Sequence, residues 1–349
     1  MEKVLEEMAG LVSQPSQMSQ TSQSPAYVGR LAPSPTGALH LGNVRTFMIA
    51  WLRARSQGGK VIFRMEDLDH PKDRPGAAAQ AVEDLKWLGF DWDEEYVQSE
   101  RKDVYRKALE SLGDLVYPCV CSRRDVEAAQ SAPHAGEQLY YPGTCRGRFA
   151  SWREAGNFLA GSRVSSDPRD SSVFRMPCWR FKVPDGARVS FDDAFAGHYE
   201  QDVSESLGDF PLARDEFGAG YTLACTVDDL LMGVTEVVRG DDLLAATPAQ
   251  ILLAKSLVTC NLPTCQLVNC RIPSYCHVPL VVGHDGKRLA KRHGDTRIST
   301  YRAQGKPPEE ILGFLAASCG WAEKGERVSL CDLLSRFDLG TIPHSPFMV

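Results

Sequence analysis

The sequence predicts an α/β fold in which helices flank a parallel sheet, and three observations support that class. Strand-like and helical segments alternate from residue 27 onward, as they do where helices connect parallel strands. A loop rich in Pro and Gly separates the first strand from the first helix. Hydrophobic residues make up 43% of the 349 and charged residues 24%, which are globular proportions. At roughly 100 to 200 residues per domain, this length predicts two domains or one large domain with insertions.

The beginning of the chain is predicted to be a disordered tail, residues 1–25. Residues 13–25 are almost entirely Ser, Gln, Thr and Pro. Such a composition offers too little apolar surface to offset the entropy of ordering.

Residues 26–90 follow the tail, and their pattern predicts the first part of the parallel sheet. In chain order the predicted segments are a strand at 27–31, a Pro- and Gly-rich turn at 32–37, a helix at 43–55, a strand at 60–65 and a helix at 77–89. Ala81, Leu85 and Leu88 recur at the spacing of one helix face.

An inserted subdomain is predicted at 91–204, where the pattern changes. This region holds a cysteine cluster, a loop-like stretch at 150–172 and strand-like stretches at 179–183 and 188–191. A return to the parent sheet is predicted at 205–260. It rests on strand-like stretches at 221–227 and 235–238 and a helix at 248–258. The final region, 261–349, is predicted to carry a basic loop and two helices, at 308–317 and 330–337.

Charge and composition narrow the function classes. Lys and Arg total 39 against 45 Asp and Glu, so with a net charge of −6 any nucleic acid must meet a local basic patch. No apolar run approaches the roughly 18 residues that span a bilayer, and residues 1–8 lack the pattern of a signal peptide. A cytoplasmic protein without a membrane partner is therefore expected. The 11 scattered cysteines indicate reduced thiols or metal ligands rather than a disulfide framework.

Residues 30–43 form the first functional motif, Arg-Leu-Ala-Pro-Ser-Pro-Thr-Gly-Ala-Leu-His-Leu-Gly-Asn. Its prolines and glycines predict a rigid loop at the carboxyl end of a strand. His40, Gly42 and Asn43 fall where the next helix begins, and such sheets hold phosphate at that position. The alternative is a tight turn without a ligand.

Residues 286–294 form the second motif, Gly-Lys-Arg-Leu-Ala-Lys-Arg-His-Gly. Four basic side chains between two glycines suit a loop that closes over a triphosphate and stabilises charge developing at the α-phosphate. The alternative is a solvated run of charge.

Two further groups of residues are candidates for binding a ligand or a metal ion. Glu66 follows the second strand, where a carboxylate is well placed to bind an ammonium group, although a capped helix entry is an alternative. Cys119, Cys121 and Cys145 offer three thiols, which with a fourth ligand would make a closed tetrahedral zinc site. Three buried reduced cysteines are the alternative. Ligand chemistry alone favours His134 as the fourth ligand, because phenolates are rare at zinc.

The two motifs together resemble the two signatures of class I aminoacyl-tRNA synthetases, in their glutamyl branch. The resemblance covers about residues 27–337. It implies a Rossmann-like catalytic domain, an inserted zinc-containing subdomain of the acceptor-binding type, a short helical stem-contact segment and no anticodon-binding domain. It implies that ATP, with Mg²⁺, is bound by five residues, His40, Gly42, Asn43, Arg288 and Lys291. Of these, His40, Asn43 and Lys291 would be catalytic. Ala290 stands where the family usually has serine, so one hydroxyl contact to phosphate is weakened.

The same resemblance implies a glutamate site. Glutamate has two carboxylates, each best matched by a guanidinium fork, so its site should show two arginines and one acid. By resemblance Arg30 reads the side-chain carboxylate, Tyr221 and Arg239 hold the α-carboxylate end, Glu66 takes the α-amino group and Ser34 adds a hydroxyl.

The resemblance also bears on the metal and on the RNA. It implies one structural Zn²⁺ held by Cys119, Cys121, Tyr141 and Cys145, with His134 as the rival to Tyr141. The 55 residues after Gly294 cannot hold the helical domain with which glutamyl-tRNA synthetases read the anticodon. The chain therefore resembles the truncated paralogs that activate L-glutamate with ATP and esterify it to queuosine in the anticodon loop of tRNA(Asp), and a monomer is expected.

Three alternatives remain open from the sequence. A truncated glutamyl-tRNA synthetase would charge the 3′ end of a tRNA. A class I-like nucleotidyltransferase such as a pantothenate synthetase shares the first motif but has no reason to combine Glu66 and Arg239 with the cysteine cluster. A catalytically silent RNA-binding module is favoured only by Ala290.

Overall fold

A computed structural model describes residues 27–68, 74–129, 139–161, 176–214, 216, 218–260, 271–287, 289 and 296–349. In chain order its elements are β1 (Val28–Leu31), α1 (Leu41–Arg55), β2 (Lys60–Met65), α2 (Ala77–Trp87), β3 (Glu94–Val97), α3 (Lys102–Ser111), β4 (Val116–Cys119), α4 (Arg123–Ala129), α5 (Trp152–Gly161), β5 (Cys178–Phe181), β6 (Arg188–Asp193), β7 (Gly197–Asp202), α6 (Val203–Ser206), β8 (Pro211–Ala213), α7 (Tyr221–Leu231), β9 (Glu236–Gly240), α8 (Thr247–Thr259), β10 (Ser274–Val278), β11 (Val281–Val282), α9 (Ile298–Ala303), α10 (Pro308–Ala317), α11 (Leu330–Leu334) and β12 (Phe347–Met348). Every helix in these ranges is too short or too polar to cross a bilayer. The predicted tail, 1–25, lies outside the described residues.

Two blocks of parallel strands lie side by side at the centre of the fold. One block has the order β1-β2-β3, and the other joins β9, β10 and β6 in parallel, with β7 paired antiparallel to β6 at its edge. The Val28 carbonyl accepts a hydrogen bond from the Thr235 amide at 2.9 Å, which brings the start of β9 next to β1. Residues more than 200 positions apart in sequence thereby meet at the carboxyl ends of neighbouring strands.

Burial of β2 on both faces explains why helices flank this sheet. Val61, Phe63 and Met65 belong to one apolar core with α1, α2 and α10, whereas Ile62 belongs to another with α3, α7 and α8. Alternate residues of a strand face opposite sides, so the near-continuous apolar run Val-Ile-Phe-Arg-Met requires cover on both. The α/β class predicted from sequence is confirmed.

A smaller antiparallel sheet, in the order β4-β5-β8, carries the cysteine cluster. Tyr117, Cys119, Tyr141 and Cys145 belong to a third apolar core, whereas Phe181 of β5 and Leu212 of β8 belong to the core of α3, α7 and α8. The small sheet therefore connects the cysteine cluster to the main body of the fold.

The prediction of a strand at 221–227 is wrong, because these residues begin helix α7. Thr, Cys and Val give the segment a strand-like composition. Leu223 to Leu230 are all buried, so the helix has no polar face, and its sequence lacks the alternation of apolar and polar residues that indicates a helical period. The prediction of a loop at 150–172 is wrong in part. Helix α5 occupies Trp152–Gly161, and residues 162–172 lie outside the described ranges.

The sheet also draws on residues beyond the boundaries expected from sequence. Strand β3 pairs with β2 past residue 90, and β6 pairs with β10 through Asp193 and Tyr275. Both β3 and β6 fall within 91–204, the range predicted to be an insertion. The sheet that a strand joins depends on a partner that is distant in sequence, so the local pattern does not indicate it.

Candidate active site

A cavity of about 610 Å³ opens at the carboxyl ends of β1, β2 and β9. All eight of the predicted ATP- and glutamate-binding residues that the structure describes line it, namely Arg30, Ser34, His40, Gly42, Asn43, Glu66, Tyr221 and Arg239. Arg288 and Lys291 lie outside the described residues. The strand order thus collects in one cavity side chains that span more than 200 positions of the sequence.

His40 caps helix α1 with its ring. Nδ1 accepts hydrogen bonds from the amides of Gly42 and Asn43 at 3.1 and 3.4 Å, and the Asn43 Oδ1 accepts from the His40 amide at 3.2 Å. A nitrogen that accepts carries no proton, so the neutral imidazole holds its proton on Nε2. The ring thereby occupies two of the amide donors that the start of a helix would otherwise offer to phosphate.

Gly42 is required by the closeness of this ring. A Cβ at residue 42 would lie 3.1 Å from both Cε1 and Nδ1 of His40 and 3.5 Å from the Val281 Cβ. Any side chain would press on the imidazole, which explains why this position of the motif is glycine.

Glu66 is held by a fully buried arginine that the sequence analysis did not select. Arg64 donates from Nη2 to Glu66 Oε1 at 3.0 Å and from Nη1 to Asp229 Oδ1 at 2.7 Å. Burial alone would lower the pKa of Arg64, but the surrounding carboxylates, Asp229 first, outweigh it and raise that pKa. The Cys225 thiol also donates to Glu66 Oε1, at 3.1 Å. The only sequence signal for Arg64 was a charge in the middle of an apolar strand.

Arg30 is buried at the end of β1 and has its guanidinium oriented by two groups. Nη1 donates to the Val238 carbonyl at 2.8 Å, and Nε lies 3.8 Å from Asp229 Oδ1. Asp229 therefore faces both Arg30 and Arg64. Its negative charge compensates the repulsion between these two neighbouring guanidinium groups.

Arg239 is the second arginine of the cavity and makes two side-chain hydrogen bonds. Nε donates to His277 Nε2 at 3.0 Å, and Nη2 donates to Thr247 Oγ1 at 2.8 Å. The His277 Nδ1 lies 2.6 Å from Asp193 Oδ2. The sequence analysis found no partner for His277 and did not select Asp193, because the two are 84 residues apart and no motif joins them.

The cysteine cluster has the dimensions of a metal site. The thiol sulfurs of Cys119, Cys121 and Cys145 all lie within 4.8 Å of one another, and the Cys121 and Cys145 sulfurs are 3.6 Å apart. Zn–S bonds of about 2.3 Å in a tetrahedron separate sulfurs by about 3.8 Å. The Tyr141 Oη is 3.2 Å from the Cys119 sulfur and 3.7 Å from that of Cys121, and it accepts from the Cys145 amide. The rival ligand, His134, lies outside the described residues.

Two residues beside this cluster were missed from the sequence. Arg180 donates from Nε to the Cys119 sulfur at 3.2 Å, and its Cζ lies 3.7 Å from the centre of the Tyr141 ring. Cys178 stands opposite Cys119 in the antiparallel pairing of β4 and β5. The buried guanidinium stabilises negative charge on the Cys119 sulfur, and the thiolate is the form in which a cysteine ligates a metal.

Both the sequence and the fold of this chain are similar to those of known proteins. The family described as tRNA synthetases class I (E and Q), catalytic domain, matches residues 27–337. A glutamyl-Q tRNA(Asp) synthetase from Symbiobacterium thermophilum is 42% identical, with 92% of this chain and 95% of the relative covered. One from Rhodopirellula baltica is 46% identical, with 84% and 85% covered. The crystal structure of a glutamate tRNA ligase from Elizabethkingia meningosepticum, in complex with its amino acid, superposes with a TM-score of 0.70 at 26% identity. The match covers 93% of this chain and 66% of that ligase.

Proposed function

Because the chain belongs to the class I tRNA synthetases of the glutamate and glutamine type, we propose that it activates L-glutamate with ATP and transfers it to queuosine of tRNA(Asp). The observation that carries the proposal is the match to two glutamyl-Q tRNA(Asp) synthetases at 42% and 46% identity over 95% and 85% of their length. A glutamate–tRNA ligase from Aquifex aeolicus matches at 36% identity, and the match covers 63% of its length. The overall correspondence thus favours queuosine over a 3′ terminus.

The charges that line the cavity support glutamate as the amino acid. Arg30 and Arg239 supply two guanidinium groups, and Glu66 supplies one carboxylate. Glutamate brings two carboxylates and one ammonium, so every charge of the substrate meets an opposite charge. Arg30 takes the side-chain carboxylate, and Tyr221 and Arg239 take the α-carboxylate end. Glu66 takes the ammonium, and Ser34 contributes a hydroxyl.

ATP, with Mg²⁺, is proposed to occupy the end of the cavity formed by the first motif. His40, Gly42 and Asn43 bind the phosphates, and Asn43 holds the His40 backbone. Arg288 and Lys291 stabilise the charge that develops on the phosphates. His40, Asn43 and Lys291 are the proposed catalytic residues.

The reaction has two balanced steps. An α-carboxylate oxygen of glutamate bonds to the α-phosphorus of ATP, and the bond from that phosphorus to the bridging oxygen breaks, so that pyrophosphate leaves. A hydroxyl oxygen of queuosine then attacks the carbonyl carbon of glutamyl-adenylate, AMP leaves, and the hydroxyl proton is released to solvent. The first step needs groups of the cavity and no RNA.

One structural Zn²⁺ is proposed for the cysteine cluster, held by Cys119, Cys121, Tyr141 and Cys145. The sulfur spacing and the Tyr141 Oη within 3.7 Å of two sulfurs support a four-ligand site. Such an ion would stabilise the small antiparallel sheet that carries the cluster. No step of the glutamate chemistry passes through it.

The remaining assignments follow the family. We propose that residues in 91–204 contact the RNA end that enters the cavity and that residues in 261–349 contact the RNA stem. The enzyme is proposed to act in the cytoplasm as a monomer.

The test is incubation with radiolabelled glutamate, ATP and tRNA(Asp) that carries or lacks queuosine. We expect label on the queuosine-bearing RNA alone, and we expect that label to survive prior periodate oxidation of the 3′ ribose. Labelling that needs an intact 3′ ribose and ignores queuosine would instead assign the chain to glutamyl-tRNA formation.

A further inference from the structure

We propose that His277 and Asp193 are a positioning pair that holds the Arg239 guanidinium in the orientation that binds a carboxylate of the amino-acid substrate. The inference rests on the proposed function, because it assigns Arg239 to glutamate. Neither residue lines the cavity. They act on the substrate through Arg239 alone.

The chain of hydrogen bonds is buried along its whole length. Arg239, His277 and Asp193 are 5%, 1% and 5% exposed, respectively. The three residues come from β9, β10 and β6, which are adjacent in the sheet, so the backbone holds each side chain in line with the next. Side chains buried on neighbouring strands have little freedom to choose other partners.

The protonation of the pair follows from its partners. A guanidinium can only donate, so the His277 Nε2 that faces Arg239 Nε must accept and carries no proton. The ring proton is therefore on Nδ1, which donates to Asp193 Oδ2. The neutral ring is consistent with burial, which lowers the pKa of His277 in spite of the Asp193 hydrogen bond.

Asp193 is itself held as a carboxylate. Its Oδ1 accepts from the backbone amides of Phe195, Ala196 and His277 at 3.0, 2.8 and 3.0 Å. Burial alone would raise the pKa of Asp193, but these bonds and the one from the His277 ring outweigh it and lower the pKa to about 2. With three backbone donors on Oδ1, only Oδ2 is left for the imidazole, and the ring orientation is determined.

The consequence lies at Arg239. His277 occupies Nε and Thr247 occupies Nη2, while Cζ lies 5.5 Å from the centre of the Tyr275 ring. The plane of the guanidinium is thereby set before substrate arrives, and Nη1 is the nitrogen left without one of these two bonds. A pre-oriented guanidinium loses less entropy when it binds a carboxylate, so the pair contributes to substrate affinity.

The decisive variant is Asp193→Asn, which is nearly isosteric. The three backbone amides keep the new side chain's oxygen at the Oδ1 position, so its NH₂ takes the place of Oδ2 and donates to His277 Nδ1. The ring proton must then sit on Nε2, where it opposes the N–H of Arg239. An aspartate-to-asparagine change that reverses a histidine tautomer is known to disable serine proteases.

We expect Asp193→Asn to raise the KM for glutamate by about 10-fold to 100-fold in ATP–pyrophosphate exchange, with kcat changed far less and the KM for ATP unchanged. A purely structural role would lower the active fraction and leave the KM for glutamate as it is. Thr247→Val, which removes the acceptor for Nη2, should raise the same KM by a smaller factor. It tests the orientation of Arg239 with Asp193 and His277 unchanged, and it also removes the hydroxyl that lies 3.1 Å from His277 Nε2.

Two substitutions of His277 separate the two ends of the ring. His277→Gln can place an oxygen near Nε2 and accept from Arg239, whereas His277→Asn can place a donor near Nδ1 and reaches only Asp193. We expect His277→Gln to retain more glutamate affinity than His277→Asn at equal melting temperature. The matched control is Asp192→Asn, because Asp192 bonds a histidine, His198, at the surface of the same hairpin, with 2.7 Å between its Oδ1 and the ring Nδ1.

The outcomes separate this inference from the proposed function. If the wild-type chain shows no glutamate-dependent exchange, the proposed function fails, and the pair is tested by calorimetric titration with glutamate alone. If the wild type is active and folded Asp193→Asn, Thr247→Val and His277→Asn all keep the wild-type KM for glutamate, the inference is overturned. An equal effect of Asp192→Asn would overturn it as well.

Discussion

His40 and Arg297 face each other in an isolated antiparallel bridge. The Leu41 amide donates to the Thr296 carbonyl at 3.1 Å and the Ile298 amide to the Leu39 carbonyl at 2.9 Å, on either side of that pair. The residue that caps α1 is therefore joined by backbone to residues 296–298, which follow the basic motif, 286–294, in the sequence. Because these bonds are between backbone groups, they are independent of the side chains of both motifs.

Lys291 is the proposed catalytic residue of the basic motif, so its replacement is expected to have the largest effect on activation within that motif. We expect Lys291→Ala to reduce kcat of glutamate-dependent ATP–pyrophosphate exchange by an amount equivalent to about 2 to 4 kcal/mol of transition-state stabilisation, with a smaller effect on the KM for glutamate. The exchange itself should need no tRNA. The control is Lys306→Ala, which removes a lysine paired with Glu310 at the surface. Exchange that appears only when tRNA is added would contradict the proposed order of steps.

Gly42 tests the geometry of the His40 ring. A methyl group there would lie 3.1 Å from the imidazole, so Gly42→Ala requires the ring to shift by a few tenths of an ångström. We expect kcat for exchange to fall about 10-fold to 100-fold, because small misplacements of catalytic groups cost that much. Gly156→Ala is the control, since a Cβ at residue 156 of helix α5 would meet nothing within 4 Å. Equal activity of the two variants would show that the ring position is unimportant.

The cysteine cluster predicts one zinc ion per purified chain. Cys119→Ser, Cys121→Ser and Cys145→Ser should each lose the metal and lower the melting temperature, because metal binding and folding of a small site are coupled. The exposed Cys331 provides the control, and Cys331→Ser should keep the metal. Elemental analysis of the purified variants is the measurement.

The fourth zinc ligand is tested by a pair of variants. Tyr141→Phe should lose zinc and His134→Ala should keep it, since the Tyr141 Oη is within 3.7 Å of two cluster sulfurs. The opposite result would identify His134. Cys178→Ser should retain zinc if Cys178 serves only as a neighbour of Cys119.

Acid stability follows from Asp193 and His277. The fold lowers the pKa of Asp193 from 3.8 to about 2, so this carboxylate stabilises the protein above pH 4, and the contribution is lost as pH falls toward 2. At about 1.36 kcal/mol per pKa unit, the loss is roughly 2 kcal/mol by pH 2. Burial also lowers the pKa of His277, so the unfolded chain takes up a proton first as pH falls below 6.5, with the same sign.

Urea denaturation between pH 7 and pH 2 measures this effect. In the double variant Asp193→Asn/His277→Gln neither position titrates, so its free energy of unfolding should fall less steeply with acid than that of the wild type. The control is Asp192→Asn, whose side chain is largely exposed and paired only at the surface. Parallel curves for wild type and double variant would contradict the assignment.

The local chemistry of this protein could be predicted from its sequence because it is encoded by residues close together in the chain. The strand Lys60–Met65 and the helix Pro308–Ala317 have the predicted bounds, since an apolar run and an initial proline are local signals. The cap of α1 by His40 and the cysteine cluster likewise involve residues within about 26 positions of each other. Local patterns of this kind can be recognised from the sequence alone.

What the tertiary structure decided are the contacts that join distant residues. Arg64 meets Asp229 across 165 positions, and His277 meets Asp193 across 84. Residues 221–231 form a helix although their composition is strand-like, because burial on all sides outweighs intrinsic propensity. Pairing of β10 with β6 creates the contact of His277 with Asp193, and packing of α7 against β2 creates that of Arg64 with Asp229. Both depend on which apolar faces can be buried together. Which strands pair and which helices pack on them depends on the whole chain, so the residues that orient Glu66 and Arg239 are evident only in the folded structure.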